Sequence, residues 1–127
     1  RVLLHKKNRP SRWKTIEVSE DILKALKSIK ADFKVVVIDC LTLFVSALLT
    51  RGESEKEIKK KVLDAVEFMS KAPYTSIVVS NEVGAGIVPV NRLAREFRDL
   101  AGIANQIVAK EANEAYFVVA GIPMKIK

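Results

Sequence analysis

Apolar and polar positions change period along this chain, and the changes predict helices that alternate with strands. A period near 3.6 indicates a helix with one apolar face, whereas a short unbroken run of β-branched residues indicates a buried strand. The apolar faces of the four predicted helices are formed by Ile22, Leu23, Leu26 and Ile29; by Leu43, Phe44, Ala47 and Leu48; by Ile58, Val62, Val66 and Met69; and by Leu93, Ala94, Phe97, Ala101, Ala104, Ile107 and Val108. The predicted strands are Val35–Ile38, Ile77–Val79, Tyr116–Val119 and Met124–Ile126.

Capping and breaking residues set the expected ends of the helices. Ser19 is a suitable cap for the first helix, and the second should end near Gly52. Ser54 with Glu57 has the spacing of a capping box for the third helix, which Pro73 stops. The fourth and longest helix is expected to extend over residues 91–111.

The order of these elements predicts an α/β fold with a largely parallel sheet flanked by helices and a C-terminal strand pair around Gly121. We expect the two β-branched strands to be covered on both faces. Asp39 follows the first of them, and Ser80, Asn81 and Glu82 follow the second. Because ligands of such sheets collect beyond the carboxyl ends of the strands, a site is predicted there.

Length and composition indicate one domain, residues 1–127, in which 49% of the residues are hydrophobic. The formal net charge of +7 favours an anionic partner, either nucleotide phosphates, nucleic acid or an anionic membrane surface. No apolar run is long enough to span a membrane. The single cysteine, Cys40, cannot form an intrachain disulfide, so a reducing compartment is expected, by default the cytoplasm.

Asp39 is the first candidate for chemistry. A carboxylate that a buried strand delivers to a polar crevice commonly holds Mg²⁺ in phosphoryl-transfer sites, because that ion takes oxygen ligands beside the phosphates. An Asp at this position can equally well cap the following helix. The motif alone leaves both interpretations open.

The second candidate is His5, the only histidine, which lies among Lys6, Lys7 and Arg9. A neutral imidazole nitrogen can attack the α-phosphorus of a nucleotide, and neighbouring cations can stabilise the phosphate and the departing pyrophosphate. A histidine in a basic segment is also often an ordinary surface residue.

The third candidate is the segment 81–106, in which a loop with Gly84 and Gly86 leads into the long helix. Glycines permit close approach of the backbone to a ligand, and the start of a helix offers free N–H groups to an anion. Arg92, Arg95 and Arg98 follow at a spacing of three. The alternative is a loop followed by an amphipathic helix with a solvated arginine face.

Read together, these segments closely resemble the bifunctional adenosylcobinamide kinase/adenosylcobinamide-phosphate guanylyltransferase family, over essentially the whole chain. The family phrase Asn-Glu-Val-Gly-x-Gly-Ile-Val-Pro-x-Asn-Arg-Leu-Ala-Arg-x-Phe-Arg-Asp-x-x-Gly-x-x-Asn-Gln is satisfied at every fixed position by residues 81–106. The other matching residues are His5, Lys6, Arg9, Pro10, Trp13, Thr15, Glu17, Asp39, Cys40, Thr42, Gly121, Ile122 and Lys125–Lys127.

The resemblance implies a P-loop, RecA-like enzyme of cobalamin biosynthesis that phosphorylates adenosylcobinamide and then transfers GMP from GTP to that phosphate. It implies His5 as the guanylylated nucleophile and Asp39 on the metal side, with Mg²⁺, GTP and ATP bound and a homotrimer as the assembly. The nucleotide or substrate is expected to contact Lys6, Arg9, Asn81, Glu82, Gly84, Gly86 and Arg92.

The chain departs from the family pattern in one respect, since no Gly-x-x-x-x-Gly-Lys-Ser phosphate loop occurs in it. We therefore expect that it is the C-terminal portion of such a domain, that N-terminal strands are missing, and that it is inactive alone. One alternative is a non-catalytic structural or oligomerising fragment. A basic nucleic-acid-binding module is disfavoured, because no known signature of that class occurs.

Overall fold

The structure is a computed structural model that describes residues 10–18, 20–30 and 32–127. Within these ranges, helices alternate with strands as predicted, and a strand pair ends the chain. The elements are α1 (Ile22–Lys27), β1 (Val35–Asp39), α2 (Leu41–Thr50), α3 (Glu55–Ser70), β2 (Thr75–Val79), α4 (Arg92–Glu111), β3 (Tyr116–Val119) and β4 (Ile122–Lys125).

The strands form two separate two-stranded sheets in the part of the chain that the structure describes. β1 and β2 pair in parallel, with a register that places Val35 opposite Thr75 and Asp39 opposite Val79. β3 and β4 pair antiparallel. The hairpin turn consists of Ala120 and Gly121, with φ of 50° and 77°, which matches the left-handed turns that suit the twist of a two-residue hairpin.

The helix ends follow the capping residues, with one correction. Ser54 accepts from the backbone N–H of Glu57, whose side chain accepts in return from the N–H of Ser54, so the predicted capping box at the start of α3 is confirmed. The cap of α1 is Asp21, which accepts from the N–H of Lys24 at 2.8 Å. Ser19, the predicted cap, lies outside the described residues. Gly52, with φ of 83°, follows the end of α2 as expected.

The core lies between the helices and one face of the parallel sheet. α4 packs against α2 and α3, and α1 packs against α3. The side chains from the sheet that pack on this core are Val36, Ile38 and Val78. The buried residues of the core are Ile22, Leu26, Leu41, Phe44, Val45, Leu48, Ile58, Val62, Ala65, Val66, Leu100 and Ala104.

The described residues leave the opposite face of the parallel sheet partly exposed, so among them the prediction that both faces are covered is wrong. Val35, Val37, Ile77 and Val79 point to this face and are between 41% and 49% exposed. A second correction concerns α2, where Leu43 was expected on the inner side but is 68% exposed. The helix is apolar around most of its circumference, so its periodicity does not select the buried face.

None of the helices in the described ranges combines the length and the apolar character needed to cross a bilayer.

Candidate functional site

The candidate site is built where β1 and β2 end, because parallel strands bring their carboxyl ends to the same edge. α2 starts directly after β1 and carries Thr42, which is buried. The hydroxyl oxygen of Thr42 accepts a hydrogen bond from Asn81 Nδ2 at 3.2 Å and lies 3.1 Å from the sulfur of Cys40. The end of one strand is thus tied to the helix that follows the other.

Asn105, in the second half of α4, forms hydrogen bonds with the end of β2. Ser80 Oγ donates to Asn105 Oδ1 at 2.6 Å, and Asn105 Nδ2 donates to the carbonyl of Asn81 at 3.2 Å. One amide side chain therefore satisfies both an acceptor and a donor at the end of β2. The four side chains of Thr42, Ser80, Asn81 and Asn105 form a connected group, which we call the strand-end network.

Asp39 lies at the same edge but outside this network. It is exposed on the open face of the sheet, and no residue in 10–18, 20–30 or 32–127 hydrogen-bonds to its carboxylate or pairs with it. The residue that caps α2 is Cys40, without a side-chain capping bond, so the alternative in which Asp39 caps this helix is wrong. The Asp39–Cys40 peptide bond is cis. Because Asp39 is exposed, its carboxylate is accessible to a ligand.

Glu82 and Gly84 begin the loop that leads from β2 to α4. The Glu82 carboxylate accepts from the N–H of Gly84 at 2.6 Å. A Cβ at Gly84 would lie 2.7 Å from that carboxylate oxygen, whereas one at Gly86 would meet nothing closer than 3.7 Å. A side chain at Gly84 would therefore displace the flexible end of Glu82, whereas one at Gly86 would make only ordinary contact with the carbonyl of Val83.

The three arginines at the start of α4 have different partners. Arg92 Nε donates to Glu96 at 2.8 Å on the same helix, and this hydrogen bond and the negative charge raise the pKa of Arg92. Arg95 donates to the carbonyls of Pro89 and Val90, and Arg98 donates to that of Gly84. These last two arginines contact the loop; Arg92 pairs within its own helix.

Among the predicted site residues, the structure brings Asp39, Asn81, Glu82 and Gly84 to one edge of the sheet. Gly86 lies farther along the same loop. Arg92 forms its hydrogen bond with Glu96 and none with the described residues at this edge. The remaining three, His5, Lys6 and Arg9, lie outside the described residues.

Sequence reasoning placed Ser80 at the predicted site without giving it a role, and it gave no site role to Thr42 or Asn105. For Arg95 and Arg98 it left a solvated face as one of two interpretations. A signal for three of them is present in the sequence, because Arg95, Arg98 and Asn105 recur at i, i+3 and i+10 and so lie along one stripe of a helix. This spacing places the three side chains on one side of the helix, but it does not show which groups they contact.

Asp39 is the one acidic residue of this edge whose carboxylate has no partner among the described residues. No group of three or more His, Cys, Asp or Glu side chains that could hold a metal occurs in the described part of the chain. Mg²⁺ in nucleotide sites usually takes one or two carboxylates and completes its shell with water and phosphate oxygens. The exposed Asp39 carboxylate is compatible with that mode of binding.

Comparisons with known proteins give a consistent result. A family model described as cobinamide kinase / cobinamide phosphate guanyltransferase matches residues 1–126. The bifunctional adenosylcobalamin biosynthesis protein CobU of Salmonella typhimurium is 36% identical over 139 aligned residues, which span the whole chain and 77% of that relative. CobU of Escherichia coli is 34% identical with the same coverage, and CobP of Pseudomonas aeruginosa is 33% identical over the whole chain and 73% of its own length.

Proposed function

This chain belongs to the cobinamide kinase / cobinamide phosphate guanyltransferase family, and we propose that it catalyses two successive reactions of cobalamin biosynthesis. The first reaction is phosphorylation of the aminopropanol hydroxyl of adenosylcobinamide by a nucleoside triphosphate, ATP or GTP. The second is transfer of GMP from GTP to the phosphate so formed. The observation that carries this proposal is the match of the family model to residues 1–126. Asn81 and Asn105 of the strand-end network belong to the family phrase of residues 81–106.

The second reaction proceeds in two steps through His5. A neutral imidazole nitrogen attacks the α-phosphorus of GTP, a P–N bond forms, and the bond to the β-phosphate oxygen breaks to release pyrophosphate. A phosphate oxygen of the corrinoid then attacks the same phosphorus, and the P–N bond breaks to regenerate the imidazole. Lys6 and Arg9 stabilise the negative charge that develops on the phosphate and on pyrophosphate.

Asp39 is proposed to hold Mg²⁺. Its carboxylate is exposed at the end of β1, and the structure leaves it without a partner among the described residues. When bound there, the ion would neutralise charge on the nucleotide phosphates. Asn81, Glu82, Gly84, Gly86 and Arg92 are proposed to contact the nucleotide or the corrinoid.

The finer architecture is also proposed. We infer a RecA-like fold whose phosphate-binding loop is not encoded in the 127 residues, a homotrimer as the assembly, and a cytoplasmic location. The alternating helices and strands and the site at the strand ends agree with such a fold.

The decisive experiment is mass analysis of the full-length protein after incubation with GTP and Mg²⁺. We expect a GMP adduct that maps to His5 and is lost when the adenosylcobinamide phosphate is added. His5→Asn should yield no adduct and no GMP transfer. An adduct on His5→Asn, or unchanged transfer by that variant, would show that the nucleophile is another residue.

The metal assignment has a separate test. Asp39→Asn keeps the size of the side chain but removes its charge, so turnover should need more Mg²⁺ while the thermal melt changes little. Identical magnesium titrations for the variant and the parent would remove Asp39 from the metal site.

A further inference from the structure

The loop between β2 and α4 is held at Gly84 by two side chains of opposite charge. The N–H of Gly84 donates to the Glu82 carboxylate at 2.6 Å, and its carbonyl accepts from Arg98 of α4. A hydrogen bond with one charged partner is shorter and stronger than a neutral one. Both polar groups of this residue thus have charged partners.

The far end of the same loop is held by Arg95, one helical turn before Arg98. Its guanidinium donates to the carbonyl of Pro89 at 3.1 Å and to that of Val90. A planar guanidinium presents several donors in a fixed fork, so one side chain can hold two successive carbonyls. Residues 83–90 contain neither helix nor strand. Their backbone is therefore held by these side-chain hydrogen bonds and not by the regular bonds of a helix or sheet.

The helix that holds the loop also holds the end of β2. Asn105 lies ten residues after Arg95, and its side chain bonds to Ser80 and to the carbonyl of Asn81. The loop and the strand-end network are therefore positioned by the same stripe of α4. Their relative placement is set by one rigid element.

We propose that Arg95 and Arg98 are positioning residues of the active site, which act by holding residues 83–90 in one conformation beside the strand-end network. This inference rests on the proposed function, because it assigns the loop to the binding of the nucleotide or corrinoid substrate. The arginines act through the loop backbone. Misplacement of a binding loop raises KM and lowers the rate without removing any group that reacts.

The test combines a measurement without substrate and a kinetic one, both on the full-length protein. Arg98→Met removes the bond to Gly84, and Arg98→Lys keeps a cationic donor. Arg51→Met is the matched control. Arg51 is partly exposed, forms a surface ion pair with Glu20, and follows the end of α2 that lies away from the site. Amide hydrogen exchange reports on residues 83–90, and the KM and kcat of GMP transfer report on the reaction.

We expect Arg98→Met to speed exchange in residues 83–90 about tenfold, with exchange in β1 and β2 unchanged, since local opening of a loop is independent of global unfolding. KM should rise about tenfold and kcat should fall less. Arg98→Lys should recover most of both losses, and Arg51→Met should show neither. If Arg98→Met does not fold, Arg95→Met provides the same comparison at the other end of the loop.

Unchanged loop exchange in both Arg95→Met and Arg98→Met would overturn the inference, whatever happens to KM, because an arginine that binds substrate directly would alter the kinetics alone. Equal effects in Arg51→Met would overturn it too. If the parent protein catalyses neither reaction, the proposed function is wrong, and the exchange data alone decide whether the arginines hold the loop.

Discussion

The two faces of the β1–β2 sheet carry the same kind of residue but have different surroundings. On the inner face, Val36, Ile38 and Val78 pack against the helices. On the outer face, equally apolar side chains such as Val37 and Ile77 are more than two-fifths exposed. The residue type is thus a poor guide to which face is buried. What distinguishes the faces is the set of helices that contact one of them.

The polar groups of the candidate site also differ between the inner and outer faces of the sheet. The strand-end network reaches into the helix layer through Asn105, whereas the Asp39 carboxylate belongs to the outer face. Groups that hold the backbone in place are therefore on the packed side. The carboxylate proposed to bind a cation is on the accessible side, where a charged group keeps its hydration until a ligand arrives.

The strongest test of this contrast compares one truncation in each region. Leu48→Ala removes a side chain that is fully buried in the helix layer and should lower the free energy of unfolding by about 3 kcal/mol. Val37→Ala on the outer face should lower it by less than about 1 kcal/mol, because the side chain is already partly hydrated. Urea denaturation of both variants measures the difference. Equal losses would show that another part of the protein covers the outer face in solution.

A second test addresses the junction between the faces. Asn105→Ala removes the donor to the Asn81 carbonyl and the acceptor for Ser80, and should lower the free energy of unfolding by about 2 kcal/mol. A double-mutant cycle with Ser80→Ala isolates the side-chain pair. Strictly additive effects would show that the side chains of Ser80 and Asn105 do not interact, and that this pair does not connect α4 to the end of β2.

A third test concerns the helix layer alone. Ser54→Ala removes the capping box of α3 and should lower the free energy of unfolding by about 1 kcal/mol. Ser70→Ala, near the other end of the same helix, removes a hydroxyl that donates to the carbonyl of Glu67, and should have a smaller effect. Chemical denaturation of the two variants gives the comparison. A larger loss from Ser70→Ala would contradict this account of how α3 is stabilised.

The smallest expected effect is a dependence on pH. The pKa of Glu57 is lowered because its carboxylate accepts hydrogen bonds from the Ser54 hydroxyl and backbone N–H. A carboxyl whose pKa is lower in the folded state stabilises the protein above its unfolded pKa, and this contribution disappears as the pH falls through the folded value. The stability difference between the parent and Glu57→Gln should therefore shrink below about pH 4.5. A difference that is constant from pH 7 to pH 3 would contradict the assignment.

Much of the fold follows from the sequence because local signals and period agree. The Ser54–Glu57 pair and the Gly121 turn each have one favourable local structure. The face of α2 could not be predicted in this way, since Leu43 and Val45 are equally apolar and only packing leaves the first exposed and the second buried.

The site was predicted as far as topology determines it. Asp39, Asn81 and Glu82 could be placed together from the rule that parallel strands end at one edge. Arg98 and Asn105 could not, because their partners are backbone carbonyls and a serine that are distant in sequence. Helical arginines are usually solvated, so their role depends on the path of a loop that has no periodic pattern.

The position of Arg95, Arg98 and Asn105 on one side of α4 depends on the number of residues between them as well as on their identity. Each residue of an α-helix turns the chain by about 100°. Deleting or inserting a single residue between Arg98 and Asn105 would therefore rotate one of them away from the sheet edge, although every individual side chain was retained. The seven-residue spacing between them therefore sets where the loop lies relative to the end of β2. A change in the length of α4 within that spacing would move the loop away from the strand end.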